Sequence, residues 1–287
     1  MGLRLCALVG FALAALSSAP AYAERVEMEP ASPWSLNYAE NSCELTRQFS
    51  ADGKGALLLL RRYAPTPLLD LAVYSADFPF AGKGAKTTWE PDETPVDHAL
   101  PVFGETADGR SGVMLTTVFG TESSSGKTEE TTDDSGVGER EVTGLLLEQV
   151  YDDDLFFKTG SLQGAMEAMR ACTDDLLTQL GIDVEAHRTL TRKATPKDTR
   201  LVAQKIQESI PSWPFGAASM AFLPVRLTVA ADGEVTSCTI LNNLNDEFFE
   251  KKTCDGINRY ARFDPALDAQ GNAIDSYYIL TALITPQ

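Results

Sequence analysis

The chain has 287 residues, with 24 Lys and Arg against 41 Asp and Glu, a formal charge of −17 and two histidines. Its 44% hydrophobic and 8% aromatic content excludes wholesale disorder, and the length accommodates two domains of about 150 residues. So acidic a chain lacks the positive footprint that nucleic acids and anionic lipid headgroups require.

Residues 1–23 read as a secretory signal. Arg4 gives a short basic start, residues 5–16 an apolar run, and Ala21-Tyr22-Ala23 an A-x-A cleavage site before Glu24. An uncleaved anchor needs about 20 apolar residues; the run here is shorter, and Pro20 interrupts its end. Cleavage leaves 23 basic and 41 acidic residues and carries Cys6 away. A prokaryotic signal of this form points to the periplasm, with no stable membrane insertion afterwards.

Cys43, Cys172, Cys238 and Cys254 remain. Export favours disulfides, and four cysteines allow three pairings. The expected bridges are Cys43–Cys172 and Cys238–Cys254, because each then stays within one domain. There is no C-x-x-C, and His98 and His187 are far from every cysteine in sequence, so the pattern implies neither a metal site nor a cofactor.

Residues 24–42 are polar and turn-rich. Strand-like runs follow near 43–49, 55–63, 68–76, 112–119 and 142–150, separated by Asp52-Gly53, Pro65, Pro67 and Asp108-Gly109. The acidic stretch 121–140 predicts a mobile hairpin tip or loop. Residues 161–180 predict a helix capped by Ser161 and stopped by Gly181, with Leu162, Met166, Met169, Cys172, Leu176 and Leu180 along one face. Residues 24–183 thus form a β-rich acidic domain with a closing helix. Residues 184–196 read by composition as a linker, which favours independently mobile domains.

From 197 the pattern sharpens. A short helix ends at Pro211. Val225, Leu227 and Val229 alternate with Arg226 and Thr228, Asp232-Gly233 makes a hairpin turn, and a return strand carries Cys238. Asn245 or Asp246 caps a helix to Tyr260 bearing Phe248, Phe249, Cys254, Ile257 and Tyr260. The last strand runs over 274–284. The order β-β-α-β places Cys238 beneath the helix that carries Cys254.

These residues resemble a family. Val225, Leu227, Val229, Asp232, Gly233, Val235, then Arg262, Phe263, Pro265, Ala266, Gly271 and the last strand, are similar to the C-terminal domain of the energy transducer TonB, over residues 197–287. The resemblance implies an α+β protein whose small ββαβ domain has a three-stranded antiparallel sheet. It implies binding of an extended segment of an outer-membrane receptor or envelope protein by β-augmentation, with a possible link to TonB-dependent transport. The expected binding edge is Ser276, Tyr277, Tyr278, Ile279 and Leu280, and Tyr278→Pro is the substitution expected to block it. Two departures matter. The family keeps a membrane helix and a Pro-rich spacer, whereas this chain has a cleavable signal and a folded acidic domain. Pro224 also stands where a glycine is usual, and Ile210-Pro211-Ser212-Trp213-Pro214 matches the family's Tyr-Pro element weakly. The alternative is a structural envelope protein whose TonB-like domain packs on its own N-terminal domain, without a transport role.

No enzyme is expected. Asp134-Ser135-Gly136 lies in the acidic low-complexity stretch, no G-x-S-x-G or phosphate-binding glycine motif occurs, and paired cysteines are not nucleophiles. His98 and His187 read as solvated. Asp152-Asp153-Asp154 and Asp174-Asp175 read as solvated faces without an EF-hand loop.

Overall fold

The computed structural model describes residues 23–66, 68–91, 94–117, 138–209, 221–241 and 247–284. The signal segment to residue 22, most of the 121–140 stretch, residues 210–214 and the expected caps Asn245 and Asp246 lie outside these. The described chain is mixed α and β, rich in strands, with four helices and one large curled sheet.

That sheet is built from β1 (Arg25–Pro30), β2 (Ser35–Tyr38), β3 (Cys43–Ala51), β4 (Lys54–Arg62), β5 (Leu69–Ser75), β6 (Lys86–Glu90), β7 (Val96–Asp97), β8 (Val102–Glu105), β9 (Ser111–Thr117), β10 (Gly144–Glu148) and β11 (Asp154–Phe157). Its order is β7-β6-β10-β11-β1-β3-β4-β5-β9-β8, with β2 added to β3. β1 is the joint: Arg25 to Met28 run parallel to β11, then Glu29 and Pro30 turn antiparallel to β3. The sheet therefore folds back on itself and traps one core. Alternation supplies that core: Leu58 and Leu60 of β4, Leu71 and Val73 of β5, and Leu145 and Leu147 of β10 are all buried together. Phe49 and Phe157 meet edge to face across it at 5.2 Å. Each such side chain contributes about 1.5–3 kcal/mol when fully buried.

The helix α1 (Gln163–Gln179) closes the open side with Met166, Met169, Cys172 and Leu176. Cys172 is bonded to Cys43 at the start of β3, with Cα atoms 6.0 Å apart. Ser161 is not the helix cap. The capping position falls on Leu162, which makes no side-chain cap bond; its amide instead donates to the Glu139 carbonyl at 2.8 Å. Glu139, at the end of the acidic stretch, is buried and takes Arg170 of α1 on both carboxylate oxygens at 2.9 Å. That stretch is thus anchored at its C-terminal end. The 24–42 region, expected to be turns, supplies β1 and β2. Their exposed, unpatterned side chains hide the strands, which are held by neighbours rather than by alternation.

The remaining elements are α2 (Val184–Arg188), β12 (Thr195–Pro196), α3 (Thr199–Ser209), β13 (Ala221–Val229), β14 (Val235–Ile240), α4 (Glu247–Tyr260), β15 (Phe263–Asp264), β16 (Ala266–Leu267), β17 (Ala273–Ile274) and β18 (Ser276–Ile284). A three-stranded antiparallel sheet has the order β14-β13-β18. Val225, Leu227 and Val229 share a second buried cluster with Ile206 of α3 and with Ile257 and Ala261 at α4. Cys238 on β14 is bonded to Cys254 on α4, with Cα atoms 5.6 Å apart. Tyr260, expected on the apolar stripe, is exposed, and Thr253 is buried instead.

The 184–196 segment is not a free linker. Asp183 caps α2 by accepting the Ala186 amide at 3.0 Å. Thr191 donates to the Leu267 carbonyl, Arg192 donates to Pro265, and β12 pairs with β15. Ala194 is buried in the second cluster. Polar composition misleads here because the side chains face water while the main chain is tied down.

Gly233, the glycine of the hairpin turn, has φ +85°. A Cβ there would stand 2.1 Å from the Phe263 carbonyl oxygen, the residue whose amide it receives. Gly233→Ala is therefore expected to destabilise the protein by about 2 kcal/mol or more in denaturant unfolding. Under stepwise reduction, Cys238 and Cys254, both half-buried, are expected to be alkylated before Cys43 and Cys172, which are fully buried. Peptide mass mapping reads that order.

Candidate functional site

β18 is the outer strand of the three-stranded sheet. All nine of its residues are in register with β13, from Ser276↔Val229 to Ile284↔Ala221, and no other strand of the described residues pairs with it. Which of its main-chain groups face outward follows from the middle strand. The Leu241 amide donates to the Pro224 carbonyl at 2.9 Å, so Pro224, Arg226 and Thr228 direct their main-chain groups toward β14. Leu223, Val225, Leu227 and Val229 then serve β18, through Ala282, Leu280, Tyr278 and Ser276. The outward N–H and C=O groups of β18 belong to Tyr277, Ile279 and Thr281. A proline at Tyr278 would break the internal ladder rather than the open edge, contrary to the sequence expectation. Pro224 causes no gap in the ladder to β18, since its missing N–H points the other way.

The side chains of the expected edge are committed inward. Tyr278 meets Phe263 edge to face at 5.2 Å, Leu280 packs on the second cluster, and Ser276 is 1% exposed. Tyr277 and Ile279 point to the opposite face of the sheet, the one α4 does not cover. There they pack on Ala64, Leu177 and Ile182. The Tyr277 hydroxyl donates to the Pro65 carbonyl at 3.1 Å, and its ring stacks on His187 at 5.7 Å and 24°. His187 is therefore not solvated: Nδ1 stands 2.8 Å from the Asp183 carbonyl, and Nε2 is buried. Alternation on β18 thus splits the five residues between the core beneath α4 and a seam with the N-terminal sheet.

Arg226 completes the seam from the middle strand. It is 5% exposed and donates through Nη2 to the Asn41 side-chain oxygen at 2.9 Å. Among the described residues no carboxylate pairs with it, and burial lowers its affinity for the proton. An isolated buried guanidinium costs free energy that a neutral amide only partly offsets. The sequence signal was present: Arg226 and Thr228 stand on the strand face opposite Val225 and Leu227. What they face is non-local.

A second polar group lies on the outer face of the large sheet. Arg61 donates to Glu44 at 2.8 Å and the Thr116 hydroxyl to Asp70 at 2.9 Å. Burial pushes both the Tyr63 hydroxyl and the Asp70 carboxyl upward. Its donors and acceptors satisfy one another, an arrangement that stiffens the sheet. Sequence reading also missed His98, which is half-buried against Thr87, Nε2 to hydroxyl 2.8 Å, with its proton affinity lowered chiefly by burial.

No helix among the described residues is long and apolar enough to cross a membrane. No group of three or more His, Cys, Asp or Glu among them is placed to hold a metal ion. Asn41→Asp would set a carboxylate against Arg226 and is expected to stabilise the protein by about 1 kcal/mol, whereas Asn41→Ala should cost about 1–3 kcal/mol. Denaturant midpoints of the two variants check both signs. Comparison of the chain with protein-family models, curated proteins and solved structures finds no match among any of them.

Proposed function

We propose that this protein is an exported, non-enzymatic binding module whose 197–287 region, of the TonB C-terminal type, takes up an extended segment of an outer-membrane or envelope protein along β18. The observation that carries this reading is that β18 is hydrogen-bonded on one side only among the described residues. A strand added there would pair with the main chain of Tyr277, Ile279 and Thr281. Main-chain pairing supplies affinity in such complexes, and side-chain pockets supply selectivity. Because residues 276–280 are already packed inward, selectivity would come from the rims of the edge rather than from these side chains. Two bridged cysteine pairs suit an oxidising compartment, and the signal sequence makes that compartment the periplasm. A cleaved protein has no hold on the inner membrane, so the proposed role is binding and not force transmission.

A second reading has its own observation. The seam made by Arg226, Tyr277 and Ile279 fixes the 197–287 region on the N-terminal sheet. In this reading the protein is a structural envelope component and the open edge is unused.

The two are separated by titrating the full chain with a synthetic peptide from the N-terminal segment of a TonB-dependent receptor. Thr281 is exposed and its N–H faces outward, so Thr281→Pro removes a docking donor without touching the ladder to β13. Binding lost in Thr281→Pro and kept in Thr281→Val supports the strand-addition reading. Absence of peptide binding by the folded wild-type chain favours the structural one.

A further inference from the structure

Residues 94–105 form a strap that joins the two ends of the curled sheet. Its first half pairs with β6, Thr87↔Val96 and Lys86↔Asp97. Its second half pairs with β9, from Val102↔Met114 to Glu105↔Ser111. His98 lies between these ladders. Its amide donates to the Ala85 carbonyl at 3.0 Å, its Nε2 stands 2.8 Å from the Thr87 hydroxyl of β6, and its ring lies beside the main chain of Thr116 in β9. Thr87 is 1% exposed, so Nε2 of the half-buried imidazole reaches a dry hydroxyl, between two strands that have no direct ladder to one another.

We propose that His98 is a protonation-sensitive clasp: the neutral imidazole holds β6 and β9 together through the strap, and the imidazolium releases residues 94–105. A neutral ring has one donor and one acceptor, which suits a carbonyl at Thr116 and a hydroxyl at Thr87. A second proton turns Nε2 into a donor, forces the Thr87 hydroxyl to reverse, and places a charge against a buried hydroxyl. The surrounding charges do not rescue it. Asp97 on the strap favours the cation, but it also faces Lys86 of β6 at 3.6 Å. On the β9 side the Thr116 hydroxyl is given to Asp70 of β5, a carboxyl that burial itself holds toward the neutral form. Burial therefore outweighs both Asp97 and the Thr116 main chain, each of which favours the cation, and the imidazole proton affinity falls below its ordinary value.

The sign of the linkage follows. A histidine with a lowered folded pKa contributes stability that is complete above the unfolded value, about 6.5, and is lost as the pH falls through it toward the folded value. Asp70 and Glu148, both raised chiefly by burial, act in the opposite sense: their contribution is complete below the ordinary carboxylate range and is lost as the pH rises. A loss of protection on acidification near pH 6 therefore points to a histidine, and the chain has two.

The test is amide hydrogen exchange of the full chain between pH 7.5 and 5.0, corrected for the intrinsic pH dependence of exchange. Protection of residues 96–98 and 102–105 is expected to fall by about tenfold for each pH unit by which the folded imidazole lies below the free one, while the β3–β5 ladders stay protected. The response should vanish in His98→Gln and persist in His187→Gln. Unchanged strap protection across the range, or a His98→Gln variant with the wild-type response, overturns the proposal. A ring-nitrogen NMR titration of the wild-type chain serves as the second readout if His98→Gln fails to fold. A His98 pKa below the free value supports the clasp, and one at or above it overturns it.

Discussion

A three-stranded sheet with its helices on one side leaves the other face open, and the cover for that face is the constraint on which this molecule's arrangement depends. Leu223, Val225, Leu227 and Val229 are satisfied by α3, α4 and the 189–196 segment through Ala194. Among the described residues, their alternate neighbours have no such partner within the same region. The N-terminal sheet supplies one, through Asn41, Ala64, Pro65 and the α1–α2 corner. Tyr277 and Ile279 close the apolar part of the contact and Arg226 the polar part. Because α2 is tied to α1 through Arg188 and Asp174, and the 189–196 segment to Pro265 and Leu267, the two sheets are connected at several points and not by a loose tether.

This cover shapes what the open edge of β18 can do. A strand has two faces and two edges, and here both faces of β18 are occupied while, among the described residues, one edge is not. Recognition at such a strand rests on the outward main-chain groups of Tyr277, Ile279 and Thr281. The side chains of Tyr277 and Ile279 belong to the seam, so their outward amides are fixed in place by the N-terminal sheet. The binding and structural readings therefore share the same residues: the contact that makes the protein one packed body also holds the candidate edge straight. The curled sheet solves its own edge problem differently. Its terminal strands, β7 and β8, are two ends of one strap, so closure depends on residues 94–105 and on the imidazole that spans them.

Local pattern made some of this legible and not the rest. The pairings Cys43–Cys172 and Cys238–Cys254 followed from keeping each bridge within a region, and both stand bonded in the structure. The β-β-α-β order and the DG turn at Asp232-Gly233 were visible because alternation, turn chemistry and helical spacing act over a few residues. β1 and β2 were not visible, since their side chains are mostly exposed and only their neighbours make them strands. The 184–196 segment read as a linker because its side chains are polar, although its main chain is hydrogen-bonded to Pro265 and Leu267. Both histidines read as solvated, because a preceding turn or a polar stretch says nothing about what later packs against it.

The sequence by itself determined the acidic charge and the alternation that gives the core strands a buried face, and it favoured the two cysteine pairs. Only the tertiary structure decided where those faces meet. It set Arg226 against Asn41, Tyr277 against Pro65 and His187, and His98 between β6 and β9. The physical reason is range: periodicity and turn residues report interactions among near neighbours, while these contacts join residues far apart along the chain. Their partners are fixed by which surfaces remain uncovered after each sheet has formed.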